Sequence, residues 1–336
     1  MQNQDGHVVE SGTETITSIK ASEIEDWANF RDDDILQQQS AIQAEEAGKI
    51  PFVGDKARMP LSSFQLICTY YMYIILWLPS VSFFSDLPQE PLSSLAAEYK
   101  SGNPILVEKI NVLTEEYAAI RRTRGDGNCF FRSFMFAYLE HILQTQDRAE
   151  VDRITANVEQ CRKTLLSLGY AEFTFEDFFA LFLEQLESVL SGTGASISHD
   201  ELVQRSRDQS VSDYVVMFFR FITSGEIRKR SEFFEPFVQG LTNTSVEQFC
   251  KSSVEPMGEE SDHVHITALS DALGVPIRIV YLDRSCDDKG SVSVNHHDFT
   301  PAACHITNAN RGATQAAKPF INLLYRPGHY DILYPK

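Results

Sequence analysis

The stretch Arg124-Gly125-Asp126-Gly127-Asn128-Cys129-Phe130-Phe131-Arg132 carries the residues best suited to covalent chemistry. A glycine-rich turn delivers a cysteine to the start of a segment whose apolar residues, Phe130, Phe131, Phe134, Tyr138 and Ile142, recur on one helical face. Gly125 and Gly127 permit positive φ and leave neighbouring N–H groups uncovered. Cys129 would then sit at the positive end of a helix dipole, which favours thiolate over thiol. The uncovered N–H groups beside it suit an oxyanion. The competing reading is a buried cysteine after an Asp-Gly turn, and the turn and thiol by themselves favour it. A second set lies 200 residues on, at His329-Tyr330-Asp331. If this tripeptide starts a strand after Pro327-Gly328, His329 and Asp331 share one face and Tyr330 takes the other. A carboxylate there fixes the imidazole tautomer and stabilises the imidazolium. Facing Cys129, the three make a nucleophile, a base and an orienting acid. His-x-Asp also arises by chance, so the tripeptide alone is weak evidence.

The elements that must position these groups belong to a chain of 336 residues with a formal charge of −18 and 43% hydrophobic residues, 23 of them Phe. That is enough for one large or two ordinary domains with a sizeable core. The acidic balance argues against a duplex nucleic-acid binder, which needs clustered Lys and Arg. Cys68, Cys129, Cys161, Cys250, Cys286 and Cys304 are scattered without a C-x-x-C pair. Met1 to Glu10 is polar and lacks a secretory signal pattern. Both point to free thiols in a reducing compartment. The sequon Asn243-Thr244-Ser245 is then a chance match.

Residues 1–56 are acidic with little periodicity and read as a largely disordered arm, with a short helix over Ile35 to Ile50 as an option. Residues 57–89 are an apolar block. Phe64 to Phe84 contains no charge and is long enough to cross a bilayer, with Lys56 and Arg58 on one flank and Asp86 and Glu90 on the other. Pro79 interrupts it. The alternatives are a buried core helix or an added segment, and Pro-Leu-Ser-Ser recurs at 60–63 and 91–94. From Glu90 the pattern is orderly. One helix carries Leu92, Leu95, Ala96 and Tyr99. A second opens at Asn103-Pro104 and runs through Tyr117. The cysteine helix covers about 129–143. Val151, Ile154, Val158, Cys161, Leu165 and Leu168 then step by three and four to a stop at Gly169, which places Cys161 in the core. Thr174 is the expected cap of a helix bearing Phe178, Leu181, Phe182 and Leu186. Residues 200–225 read as helical, Cys250 as packed, and a helix from Ser261-Asp262 ends at Gly274. Strands follow at 276–282, 291–294, 319–325 and 330–334, with loops at 283–290 and 295–318. Helices first and strands last give an α+β pattern.

At this point two motifs together resemble a known family. Gly125-Asp126-Gly127-Asn128-Cys129-Phe130-Phe131-Arg132 is similar to the nucleophile motif of the ovarian-tumour-domain (OTU) cysteine proteases. Arg326-Pro327-Gly328-His329-Tyr330-Asp331-Ile332-Leu333-Tyr334 resembles the closing motif of its otubain branch. Gln209 to Tyr214, Val254 to Met257 and Glu260 to Ile266 resemble further otubain segments, and several loops resemble a plant otubain. The resemblance covers about 90–336. It implies a papain-like fold with a small, mainly C-terminal sheet, and a deubiquitinase that needs no metal or organic cofactor. It implies Cys129 as nucleophile on the carbonyl after the last glycine of ubiquitin, His329 as base and acid, and Asp331 as its orienter. Asp126 matches a position counted as catalytic, by side chain or by backbone, with loop 126–129 supplying oxyanion donors. The implied partners are ubiquitin and polyubiquitin chains, with ubiquitin-conjugating enzymes as further candidates. The block at 57–89 departs from the family pattern.

A second functional class is a non-catalytic ubiquitin-pathway binding protein that holds ubiquitin-charged conjugating enzymes. The expected location is cytoplasmic, extending to the nucleus, with membrane tethering only if 64–84 is an anchor. His263 and His265 suit either a substrate surface or a buried, capping role. His296-His297 with Cys286, Cys304 and His305 fits no standard zinc spacing. His141 reads as structural, and the Phe-rich helices read as core.

Overall fold

The computed structural model describes residues 89–100, 102–191, 196–285, 292–301 and 318–336. The acidic arm, the potential span at 64–84, Cys68, Cys286, Cys304 and His305 lie outside the described residues. Among the described residues no helix is long and apolar enough to cross a membrane.

Among the described residues six strands form one sheet: β1 (Glu90–Pro91), β2 (Tyr117–Arg121), β3 (Ile277–Tyr281), β4 (Asn295–Phe299), β5 (Ile321–Arg326) and β6 (His329–Pro335), in the order β1-β2-β6-β5-β3-β4. Only β3 and β5 pair in parallel; the other neighbours are antiparallel. Strand alternation divides the side chains between two cores. Ile277, Ile279, Ile321, Leu323, Tyr330 and Ile332 face the main core. Val280, Leu324 and Leu333 face a smaller one, closed by Leu92 and Leu95 of α1 (Leu92–Tyr99) and Leu106, Ile110 and Leu113 of α2 (Pro104–Glu116).

The main core is built on α3 (Cys129–Thr145), whose residues from Cys129 to Phe136 are all buried. It packs on β5 and β6 and against the long helix α7 (Gln209–Lys229). Around it lie α4 (Arg148–Ser167), α5 (Glu176–Ser188), α6 (His199–Arg207) and α10 (His263–Leu273), with α8 (Ser231–Thr242) and α9 (Val246–Phe249) in a satellite cluster. Phenylalanine dominates: Phe131 stacks on Phe219, and Phe182 on Phe218, with centroids 6.4 and 4.3 Å apart. Each fully buried Phe contributes about 1.5–3 kcal/mol of burial.

Several expectations need correction. The second helix stops at Glu116, and Tyr117 begins β2. Thr174 lies in a short 3-10 turn, and the residue before α5 is Phe175, with no side-chain cap. The helical stretch 200–225 is two helices, broken at Asp208, whose carboxylate caps α7. The strand expected at 291–294 lies instead at Asn295–Phe299, inside the stretch read as loop. Its exposed, polar sequence gives no alternation signal. Cys161 is partly buried and packs against the main core, as its helical position implied, and Cys250 is fully buried.

Candidate active site

Cys129 is the first residue of α3 and is buried. The turn before it depends on one glycine. Gly127 has φ 71°, and a Cβ there would lie 1.8 Å from the carbonyl oxygen of Gly258. Any larger residue would therefore displace the facing loop. Of the two glycines that permit positive φ, Gly127 uses it and Gly125 does not. Asp126 builds the turn. Its Oδ1 accepts the Asn128 N–H at 3.1 Å, and its Oδ2 accepts Arg132 Nη2 at 2.8 Å and Nε at 3.2 Å. Arg132 also donates to Asp213 Oδ1 at 2.6 Å and to the Ser212 hydroxyl. Burial pushes the Asp126 carboxyl up, but Arg132 and the Asn128 N–H outweigh it and hold the acid low. The side chain of Asp126 is thus committed to Arg132 and to its own loop.

The N–H inventory narrows the oxyanion donors. The Asp126 N–H bonds to Arg124 O at 3.1 Å, and that of Asn128 to Asp126. Those of Gly127 and Cys129 have no acceptor among the described residues. They are the two donors this loop leaves for an incoming oxygen.

His329 and Asp331 open β6 after the Pro327-Gly328 turn, where Gly328 has φ 73°. As the alternation requires, Tyr330 points away, against Phe130 in the main core. Asp331 is wholly buried. Its Oδ1 accepts His329 Nε2 at 3.0 Å and the Thr123 N–H at 2.9 Å, and its Oδ2 accepts Arg326 Nη2 at 2.7 Å. Burial raises the Asp331 acid, but Arg326 and His329 carry it well below the usual carboxylate range. His329 is pushed down by burial. Asp331, and then a hydrogen bond and charge interaction with Cys129, bring it up to about 10. Since Asp331 engages Nε2, Nδ1 is the nitrogen left for Cys129. The arrangement is a buried imidazole ring between a carboxylate and the cysteine sulfur, with its basicity raised by both, placed to trade a proton with that sulfur.

The structure therefore brings Cys129, His329 and Asp331 together and places Asp126 at the base of the nucleophile turn. Sequence reasoning missed Arg132, Arg326, Thr123 and Arg220 as partners. Arg326, Arg132, Ser212 and Asp213 all lay within the motifs, and buried cations beside essential carboxylates were the available signal. His265 takes the capping role: it is buried and completes a capping box with Asp262 at the start of α10. His263 Nε2 lies 2.8 Å from the Tyr281 hydroxyl. His141 stacks on Phe320. Among the described residues no group of three or more His, Cys, Asp or Glu is placed to hold a metal.

Residues 80–335 match the family profile described as "Peptidase C65 Otubain". The chain belongs to the otubain family. Two relatives show how this otubain compares with others. The Arabidopsis thaliana "OVARIAN TUMOR DOMAIN-containing deubiquitinating enzyme 1" is 61% identical over 336 residues, covering 100% of this chain and 96% of the relative. The Homo sapiens "Ubiquitin thioesterase OTUB1" is 41% identical over 243 residues, 72% of this chain and 80% of the relative. Among solved otubain structures, the one titled "The structure of a ceOTUB1 ubiquitin aldehyde UBC13~Ub complex" superposes with a TM-score of 0.63 at 34% identity. It covers 74% of this chain and 92% of that one. The mixed helix-and-sheet architecture thus agrees with the fold expected from the motifs.

Proposed function

We propose that this otubain is a deubiquitinating thiol hydrolase, cleaving isopeptide bonds after the ubiquitin C-terminal glycine with Cys129, His329 and Asp331. The observation that carries the reading is His329 held between Asp331 and Cys129 in a buried site. The Cys129 sulfur, its proton passed to His329, attacks the carbonyl carbon. The oxygen takes the negative charge and meets the N–H groups of Gly127 and Cys129. Collapse breaks the C–N bond, and His329 gives its proton to the departing lysine amine. A water molecule, deprotonated by His329, then attacks the thioester, releasing the ubiquitin carboxylate and the thiol. Asp331 keeps the ring oriented and compensates its charge. Asp126 shapes the turn through Arg132. Cys129, Cys161 and Cys250 are free thiols, as a reducing compartment such as the cytoplasm would keep them.

A second reading is favoured by the solved relatives: the titles of three of them name otubains with ubiquitin aldehyde and the ubiquitin-charged enzymes UBC13~Ub or UBCH5B~Ub. On that reading this chain also holds charged conjugating enzymes without using its thiol.

The test is ubiquitin bearing a C-terminal thiol-reactive electrophile. The parent chain should form a covalent adduct within minutes, and Cys129→Ala should form none. A folded parent without adduct would overturn the hydrolase reading.

A further inference from the structure

Arg220, in the middle of α7, has no exposed surface, yet no carboxylate hydrogen-bonds it among the described residues. Burying a guanidinium is costly unless its donors are satisfied. Here the two terminal nitrogens find acceptors on two loops, while Nε has none among the described residues. Nη1 donates to Val254 O at 2.9 Å. Nη2 donates to Glu259 O at 2.7 Å, Asn128 Oδ1 at 2.8 Å and Gly127 O at 3.3 Å. The guanidinium lies 4.9 Å from the Phe131 ring centroid. Asn128 Oδ1 also accepts the Gly258 N–H at 2.9 Å, a direct second tie between the loops.

The facing loop in turn reaches the other half of the site. Ser261 O accepts the Tyr330 hydroxyl at 3.0 Å, and Tyr330 is flanked by His329 and Asp331. The bonds form a continuous circuit: Cys129 to Asn128, to Arg220, to the 254–261 loop, to Tyr330, to His329. Nucleophile and base come from chain segments 200 residues apart. Besides the interaction of Cys129 with His329 itself, this circuit is a polar route that fixes their separation.

We propose that Arg220 is a positioning residue for the reaction: its forked guanidinium locks the loop carrying Cys129 to the loop tied to the His329 strand, so that thiol and imidazole meet before any substrate binds. This rests on the hydrolase reading above and adds to it a residue in contact with neither substrate nor reacting atoms. A lysine keeps the charge but cannot satisfy both loops from one planar fork. Small misplacements of reacting groups cost about 100-fold in rate.

The experiment compares the parent with Arg220→Lys and Tyr330→Phe in the full chain, on ubiquitin carrying a C-terminal fluorogenic amide. Active sites are counted by titration with the ubiquitin electrophile, and folding is checked by thermal melt. Arg220→Lys should lose roughly 10–100-fold in kcat per titrated site with KM within about twofold. Tyr330→Phe should lose less, and the double variant less than the product of the two losses, because both break one circuit. A kcat per titrated site within twofold of the parent, with only the melting temperature or the titratable fraction reduced, would make Arg220 merely structural and overturn the proposal. A second readout is independent of ubiquitin. The rate of Cys129 alkylation by iodoacetamide at pH 7 should fall in Arg220→Lys, and an unchanged rate overturns the proposal even if the parent proves inactive on ubiquitin.

Discussion

At the scale of single residues, the charge on His329 is the quantity to perturb. Asp331 reaches it at 3.0 Å, and Arg326 and the Thr123 N–H also donate to that carboxylate. Asp331→Asn keeps the shape and removes the charge. It should lower kcat by up to about 10⁴-fold while leaving the fold intact, as steady-state kinetics and a thermal melt would show. The pH dependence has a definite sign. A histidine whose folded pKa is raised to about 10 adds stability that is complete below its unfolded value of 6.5 and fades as pH rises through 10. Asp331, held low, adds stability that is present above 3.8 and lost as acid is added. The pair therefore contributes fully between about pH 4 and 6.5. Thermal melts of the parent and His329→Gln should differ most near pH 6 and converge toward pH 10. A gap that widens with pH would show that His329 is not protonated in the folded state.

Elements differ in how much of them the sequence announces. The helices that bury Phe at steps of three and four were legible, because periodicity records burial directly. Gly274 and Asp262 marked both ends of α10, since αL geometry and N-capping are local chemistry. The paired site motifs named Cys129, His329 and Asp331 for the same reason: each sits at an element terminus beside a glycine turn. What failed was non-local. Tyr117-Ala118-Ala119-Ile120-Arg121 has a helix-tolerant composition and is extended because β6 pairs with it. β4 is held by pairing with β3 and by Arg278, which grips Asp298 at 2.6 Å. Arg220 could not be read at all, since its partners are the Val254, Glu259 and Gly127 carbonyls and the Asn128 side chain, spread over two loops distant in sequence. The best-read element makes a test of its own. Phe219 of α7 stacks on Phe131 and meets Phe134 and Phe182 edge-on. Phe219→Ala should cost about 3–5 kcal/mol in a denaturant titration. A loss below about 1 kcal/mol would mean that α7 does not organise the core as drawn.

Over the whole molecule, the sheet acts as a partition. Ile277, Ile279 and Ile332 enter the core with α3 and α7, while Val280, Leu324 and Leu333 enter the core with α1 and α2. Both faces are thus covered by elements that begin at Glu90. The site straddles this partition at one end of the sheet. Cys129 arrives with the helix on one face, and the Asp331 carboxylate is met from the other by Arg122, 3.9 Å away, which also holds Glu98 of α1 at 2.5 Å. Among the described residues, those from 89 to 336 close both cores and supply the acid's surroundings. We therefore expect residues 89–336, expressed alone, to unfold in a single cooperative transition and to form the ubiquitin-electrophile adduct at a rate within about tenfold of the full chain. The same piece carrying Glu98→Gln should still fold, because that ion pair is partly exposed and worth at most about 1 kcal/mol. A non-cooperative melt of 89–336 would show instead that residues before 89 supply part of the core. A cooperative melt without adduct would show that they act on the site rather than on the fold.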